Sequence, residues 1–154
     1  MLKRVCRYQA AIVREDHHIL LIQHREHASG RTYWVVPGGG LEDGESEEEC
    51  VCREAREETN LVVDVVRLLI DEPAIGGTVY ERWKTYLCRV VSGEASPGHE
   101  PEPEVAANYG IHAVGWYDLG DPGSWGEVHE DRYTGPMLMR IRSALGYGAN
   151  RPSS

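Results

Sequence analysis

Apolar and polar positions alternate along this chain in short runs, and those runs divide it into elements. Alternating and β-branched residues mark strands near Tyr8 to Arg14 and Ile19 to His24, and the polar Glu15-Asp16-His17-His18 between them reads as the turn of a hairpin. A third extended piece, Tyr33-Trp34-Val35-Val36, runs into Pro37-Gly38-Gly39-Gly40, where proline and glycine end regular pairing and permit unusual backbone angles. The period then becomes helical. Ser46 followed by Glu49 is a capping box, Glu47 and Glu48 suit the positive end of the helix dipole, and the helix they open runs to Asn60, a residue that tolerates the left-handed closing conformation. Leu61-Val62-Val63 begins a strand, and others are expected at Val65 to Ile70, Thr78 to Val91 and Ile111 to Tyr117. Ser92 to Asn108 reads as a loop long enough to be a functional lid or disordered. Pro136 opens a last helix with Met137, Leu138, Ile141 and Leu145 on one side, and residues 147–154 are expected to form a flexible tail.

The whole has the length of one domain, 154 residues with 41% hydrophobic content, which excludes disorder of the entire chain and places a single domain at 1–146. No apolar run approaches the roughly 18 residues that span a bilayer, and Met1-Leu2-Lys3-Arg4-Val5 leads into no signal-peptide core. The expectation is a cytoplasmic protein with no membrane partner. Cys6, Cys50, Cys52 and Cys88 are too few and too irregular for a disulfide framework, and Cys50 and Cys52 are spaced wrongly for a zinc pair, so they read as reduced thiols.

Charge adds a sharper constraint. Of the net −9, residues 42–58 carry −7, with nine acids against Arg53 and Arg56. No basic stripe exists to displace counterions from a nucleic-acid polymer, which excludes that class of partner. Alone, such a run is most simply a solvated helix face. At 100° per residue, however, Val51, Cys52, Ala55 and Thr59 share a core-facing arc while Glu54, Glu57 and Glu58 fill a separate one. Like charges three and four residues apart cost a few tenths of a kcal/mol per pair, and Arg53 projects too far away to neutralise all of them. A divalent cation would, and oxygen ligands select Mg²⁺, Mn²⁺ or Ca²⁺. The glycines before the helix could turn carbonyls toward the same ion. Gly39 and Gly44-Glu45-Ser46 mimic the spacing of a phosphate-cradling loop, but glutamate stands where lysine belongs, and the alternating ligands of an EF-hand are missing.

Gly39, Glu45 and then Arg53-Glu54-Ala55-Arg56-Glu57-Glu58-Thr59-Asn60-Leu61 resemble the Nudix box, G-x5-E-x7-R-E-U-x-E-E-x-G-U with U apolar. Six fixed positions coincide by chance about once in 10⁷ starting points, up to a hundredfold more often in a Glu-rich chain. Asn60 stands where the family has glycine. The resemblance implies an α/β fold, an α/β/α sandwich with a mixed sheet, and hydrolysis of a nucleoside diphosphate linked to another group with Mg²⁺, or Mn²⁺ in its place. It further implies that Glu54, Glu57 and Glu58 hold the metal with a Gly38 carbonyl assisting, and that Arg53 and Glu45 pair to position helix and loop around Gly39. The general base is one of those glutamates or an extra one on a later loop, where Glu100, Glu102 and Glu104 stand, each more simply a solvated loop residue and Glu104 the candidate among them; Ile111 and His112 occupy the stretch near Trp116 where the family commonly has a glutamate. Arg25 and Arg31 match positions that often contact phosphate, with solubility the simpler reading, preferred slightly for Arg31. Tyr33, Trp34 and Trp116 are candidates to stack on a base, although strand aromatics are more often core. His17, His18 and His129 receive no role. Family members are often dimers, so a homodimer is open. The implied substrate is a nucleotide or nucleotide derivative; the competing reading is a Nudix-fold module that binds nucleotides or regulates without turnover.

Overall fold

The computed structural model describes residues 4–74, 80–99 and 103–147. In chain order the elements are β1 (Arg4–Ile12), β2 (His18–Glu26), β3 (Thr32–Val35), β4 (Gly38–Gly39), α1 (Glu47–Thr59), β5 (Val62–Pro73), β6 (Tyr80–Ser92), α2 (Pro103–Ala106), β7 (Tyr109–Asp118), a 3-10 turn (Pro122–Ser124), α3 (Glu127–Glu130) and α4 (Thr134–Ala144). Two sheets result. One has the order β4-β1-β6-β5 and is mixed, because β1 runs parallel to β6 while the other pairs are antiparallel. The second, β3-β2-β7, is antiparallel.

The expected hairpin does not form. β1 and β2 leave their turn into different sheets, joined by the single bridge Val13 to Ile19 and by Arg14 N–H to the His18 carbonyl at 2.9 Å. The reason lies in their burial. Ala10, Ala11 and Ile12 are all fully buried, as are Ile19 to Ile22, so each strand is covered on both faces and is central in its own sheet. Ala10 and Ile12 pack toward Cys50, Val51 and Ala55 of α1, whereas Ala11 packs with Trp83 and with Met137, Leu138 and Ile141 of α4. The two long helices therefore cover opposite faces of the mixed sheet, the α/β/α arrangement. Among the described residues no helix is long and apolar enough to cross a membrane.

Helix α1 carries both signals read from its sequence. Ser46 Oγ accepts the Glu49 N–H at 3.1 Å and Glu49 Oε1 accepts the Ser46 N–H at 2.9 Å, while Asn60 closes the helix at φ 63°, ψ 17°. Its buried face differs from the expected arc: Cys50, Glu54 and Glu58 are buried with Val51, Ala55 and Thr59, and Cys52 is only half-buried. Two of the three glutamates thus lie inside the protein. The glycine segment also departs from expectation, since Gly38 and Gly39 pair with Gln9 and Tyr8 as β4 and neither has a positive φ. Their requirement is space, because a Cβ on Gly38 would lie 2.9 Å from Gln9 Cα. The short helices α2 and α3 and the 3-10 turn had no separate signal, and α4 begins two residues before Pro136. Residues 148–154 of the expected tail lie outside the described residues.

Ser46→Ala removes one partner of the capping box and leaves the Glu49 N–H to water. Urea unfolding should register a loss of about 1 kcal/mol with an unchanged slope.

Candidate active site

The glutamates gather around one guanidinium. Arg53 projects from α1 back over the 40–45 loop and binds Glu45 with two bonds, Nε to Oε2 at 2.6 Å and Nη2 to Oε1 at 3.0 Å. Its Nη2 also donates to the Gly40 carbonyl at 3.0 Å, which ties the glycine segment to the helix. Nη1 lies between Glu54 Oε1 (3.0 Å) and Glu57 Oε2 (3.2 Å), with Glu42 at 3.6 Å. Hydrogen bonding to the Glu45 carboxylate raises the guanidinium's pKa further above its ordinary value, and the same contact, with Arg53 as the leading cause, lowers the Glu45 carboxyl below the usual carboxylate range.

Glu54 and Glu58 have no exposed surface, and Glu57 is one-quarter exposed. A buried carboxylate is tolerable only with strong partners. Glu58 Oε1 accepts the Gly38 N–H at 2.8 Å, fixing the end of the helix to β4. Glu54 fills the space that Gly39 leaves, since a Cβ there would lie 2.7 Å from Glu54 Cδ. The sequence motif thus assembles as one unit in which Gly38, Gly39, Glu45, Arg53, Glu54, Glu57 and Glu58 touch in series. Cys50, behind it, is raised to about 12 by burial and is chemically quiet.

The donor set suits a hard divalent cation: carboxylates on consecutive turns, two of them enclosed, facing a glycine segment whose side-chain space they already occupy. Among the described residues no three His, Cys, Asp or Glu side chains converge as a metal cluster as they stand. The Arg53 guanidinium is interposed between Glu54 and Glu57, and Glu58 is turned to Gly38.

A cavity of about 570 Å³ lies on the α4 side of the mixed sheet, between β1 and β6, the β2–β3 hairpin and the start of α4, and none of the residues lining it belongs to this unit. Arg7 links the two: its Nη2 donates to the Val36 carbonyl at 2.8 Å, two residues before the Gly38 amide that holds Glu58. Arg31 and Arg132 also stand on the cavity wall, with Tyr33 and Trp83 as aromatic surfaces. His24 lines it too, packed against Tyr33 and Tyr109 at ring distances of 5.6 and 6.0 Å, and burial pushes its pKa down to about 4, so the ring is neutral at pH 7.

The remaining candidates fall elsewhere. Arg25 is exposed and is not among the residues lining the cavity. Arg31 pairs with Glu26 at 3.5 Å while reaching the cavity. Glu100 and Glu102 lie outside the described residues; Glu104 has its backbone in α2 and its side chain outside them. Trp34 donates to Glu127 at 3.0 Å, and Trp116 lies under the Arg14 guanidinium at 4.1 Å. Arg7, His24 and Arg132 were not anticipated. Arg7 and Gln9 carried a signal, being polar on alternate positions of a central strand that ends in the apolar Ala10-Ala11-Ile12.

The family model described as NUDIX domain matches residues 6–135. The NAD-capped RNA hydrolase NudC of Photorhabdus laumondii is 33% identical over 97 residues, 63% of this chain and 35% of that protein. Among solved structures, a MutT NUDIX hydrolase from Burkholderia pseudomallei superposes with TM-score 0.60 at 27% identity, covering 90% of this chain and 95% of that one. An ADP-ribose pyrophosphatase from Streptococcus suis superposes with TM-score 0.58 at 25% identity, covering 92% and 91%. The chain spans about a quarter to a third of the length of the curated relatives it matches.

The lowered Glu45 carboxyl makes a signed prediction. Its pairing with Arg53 contributes stability that is complete above the ordinary carboxylate pKa and is lost as pH falls through the lowered value. Glu45→Gln should therefore cost about 1–3 kcal/mol in denaturant unfolding at pH 7, and its difference from the native protein should shrink in acid, below the usual carboxylate range.

Proposed function

The chain belongs to the Nudix family, and from that premise we propose that it hydrolyses the diphosphate bond of a nucleoside diphosphate linked to another group, with Mg²⁺, or Mn²⁺ in its place. One observation carries this reading: Glu54, Glu57 and Glu58 stand on consecutive turns of α1 against the Gly38–Gly39 strand, with the Arg53 guanidinium between Glu54 and Glu57.

Glu54, Glu57 and Glu58 would hold the ion, with the Gly38 carbonyl assisting. Bound there, the ion supplies charge neutralisation for the diphosphate and a lowered pKa for attacking water. The protein's own part is positional and basic. Arg53 and Glu45 keep the helix and the glycine segment in register. Glu57, the one of the three open to solvent, accepts the proton as the water oxygen bonds to phosphorus and the P–O anhydride bond breaks. The two products each leave with a phosphate. The group beyond the diphosphate enters the cavity, where Arg7 and Arg132 meet its oxygens and Tyr33 and Trp83 offer flat apolar faces. Relatives whose names specify an NAD-capped RNA hydrolase and an ADP-ribose pyrophosphatase support a substrate built on two phosphates joined to nucleosides or a sugar.

Phosphate-containing products should be released in the presence of Mg²⁺ from at least one member of a panel containing nucleoside triphosphates, nucleotide sugars, ADP-ribose, dinucleoside polyphosphates and an NAD-capped oligonucleotide. Glu57→Gln should lower kcat on that substrate by about 10²-fold or more with an unchanged circular dichroism spectrum. Full activity in the variant would contradict the assignment.

A further inference from the structure

The 93–99 segment, between β6 and α2, is strapped across the C-terminal end of α1. That end exposes carbonyls with no partner inside the helix, and the segment supplies them in sequence. Ser96 N–H donates to the Thr59 carbonyl at 3.0 Å, Gly98 N–H to Glu58 at 2.9 Å and His99 N–H to Glu57 at 2.8 Å. The backbones of two of the proposed ion-holding glutamates are therefore held by the strap.

Asn60 fastens it. Its Nδ2 stands 2.9 Å from Ser96 Oγ, 3.4 Å from the Ser96 carbonyl and 3.3 Å from the Pro97 carbonyl. This is the position where the box has glycine. Glycine would satisfy the left-handed backbone of φ 63° but would have no side chain with which to reach the strap. From the other side, Gly98 makes the approach feasible: a Cβ on it would lie 2.8 Å from the Glu57 carbonyl carbon, so a side chain there would lift the strap off the helix.

We propose that Asn60 is a positioning residue for the reaction: through Ser96 and Pro97 it seats the 93–99 strap on the last turn of α1 and so sets where Glu57 and Glu58 present their carboxylates. The inference rests on the reading of those glutamates as ion-holding residues.

The test uses Asn60→Gly, which keeps the favoured backbone and removes only the amide, with Gly98→Ala as an independent disturbance from the strap side. Three quantities are compared with the native protein: amide hydrogen exchange at 96–99, Mn²⁺ affinity by titration calorimetry with the metal alone, and kcat and KM on the best substrate of the panel. Asn60→Gly should speed exchange at 96–99 and weaken Mn²⁺ binding, each about two- to tenfold, the range expected for loss of one hydrogen-bonded contact. kcat should fall with KM nearly unchanged, because the cavity is untouched. Gly98→Ala should change the same quantities in the same direction. Unchanged exchange would mean that Asn60 does not fasten the strap. Faster exchange with native Mn²⁺ affinity and kcat would make the strap packing alone, and either result overturns the proposal. A native protein that itself binds no Mn²⁺ removes the underlying reading, and the inference with it.

Discussion

Two carboxylates with no exposed surface, Glu54 and Glu58, lie four residues apart on one helix, and much of the surrounding architecture follows from making their burial tolerable. Removing such charges from water costs several kcal/mol each unless good geometry compensates. Glu54 receives the Arg53 guanidinium, and Glu58 receives the Gly38 amide. Each solution constrains something else. Arg53 must be bonded to Glu45 and the Gly40 carbonyl to be held where it is, and Gly39 must lack a side chain for Glu54 to fit. The glycine strand, its loop and the helix are thereby one mechanical unit. A single guanidinium that contacts Glu42, Glu45, Glu54 and Glu57 leaves a strongly acidic locus, the setting in which a hard divalent cation is most favoured.

That unit is coupled to its surroundings at both ends. Toward the cavity, Arg7 grips the carbonyl of Val36, a wall residue that lies two positions before Gly38 on the strand that meets the glutamates. Toward the C-terminal end of the helix, Asn60 and Gly98 bring a loop remote in sequence onto the backbone of Glu57 and Glu58. Catalytic groups need positioning to within fractions of an ångström. On the proposed reading, the mixed sheet on one side and the strap on the other would supply that precision.

The helix, its caps and the polar unit were legible in the sequence because their rules are local: a capping box, a left-handed closing residue and fixed spacings on one element. What escaped depended on distant partners. Tyr8 to Arg14 and Ile19 to His24 have the length and separation of a hairpin, yet the parallel partner β6 occupies the edge that β2 would have used. Glu54 and Glu58 were assigned to a polar arc because periodicity sorts residues by polarity, whereas burial here is set by an arginine and a backbone amide that periodicity does not see. Arg7, His24 and Arg132 meet on one cavity wall from β1, β2 and the approach to α4, a convergence that is a property of topology rather than of any local pattern. Ser92 to Asn108 suggested a lid, but its first part is docked on a helix end by amides whose partners lie some forty residues earlier.

On the proposed reading this acidic unit is built to hold a divalent cation. Anomalous diffraction from crystals equilibrated with Mn²⁺ tests it directly. The expected result is a strong anomalous peak bonded to carboxylate oxygens of at least two of Glu54, Glu57 and Glu58. Well-ordered glutamates with no such peak at saturating Mn²⁺ would contradict it.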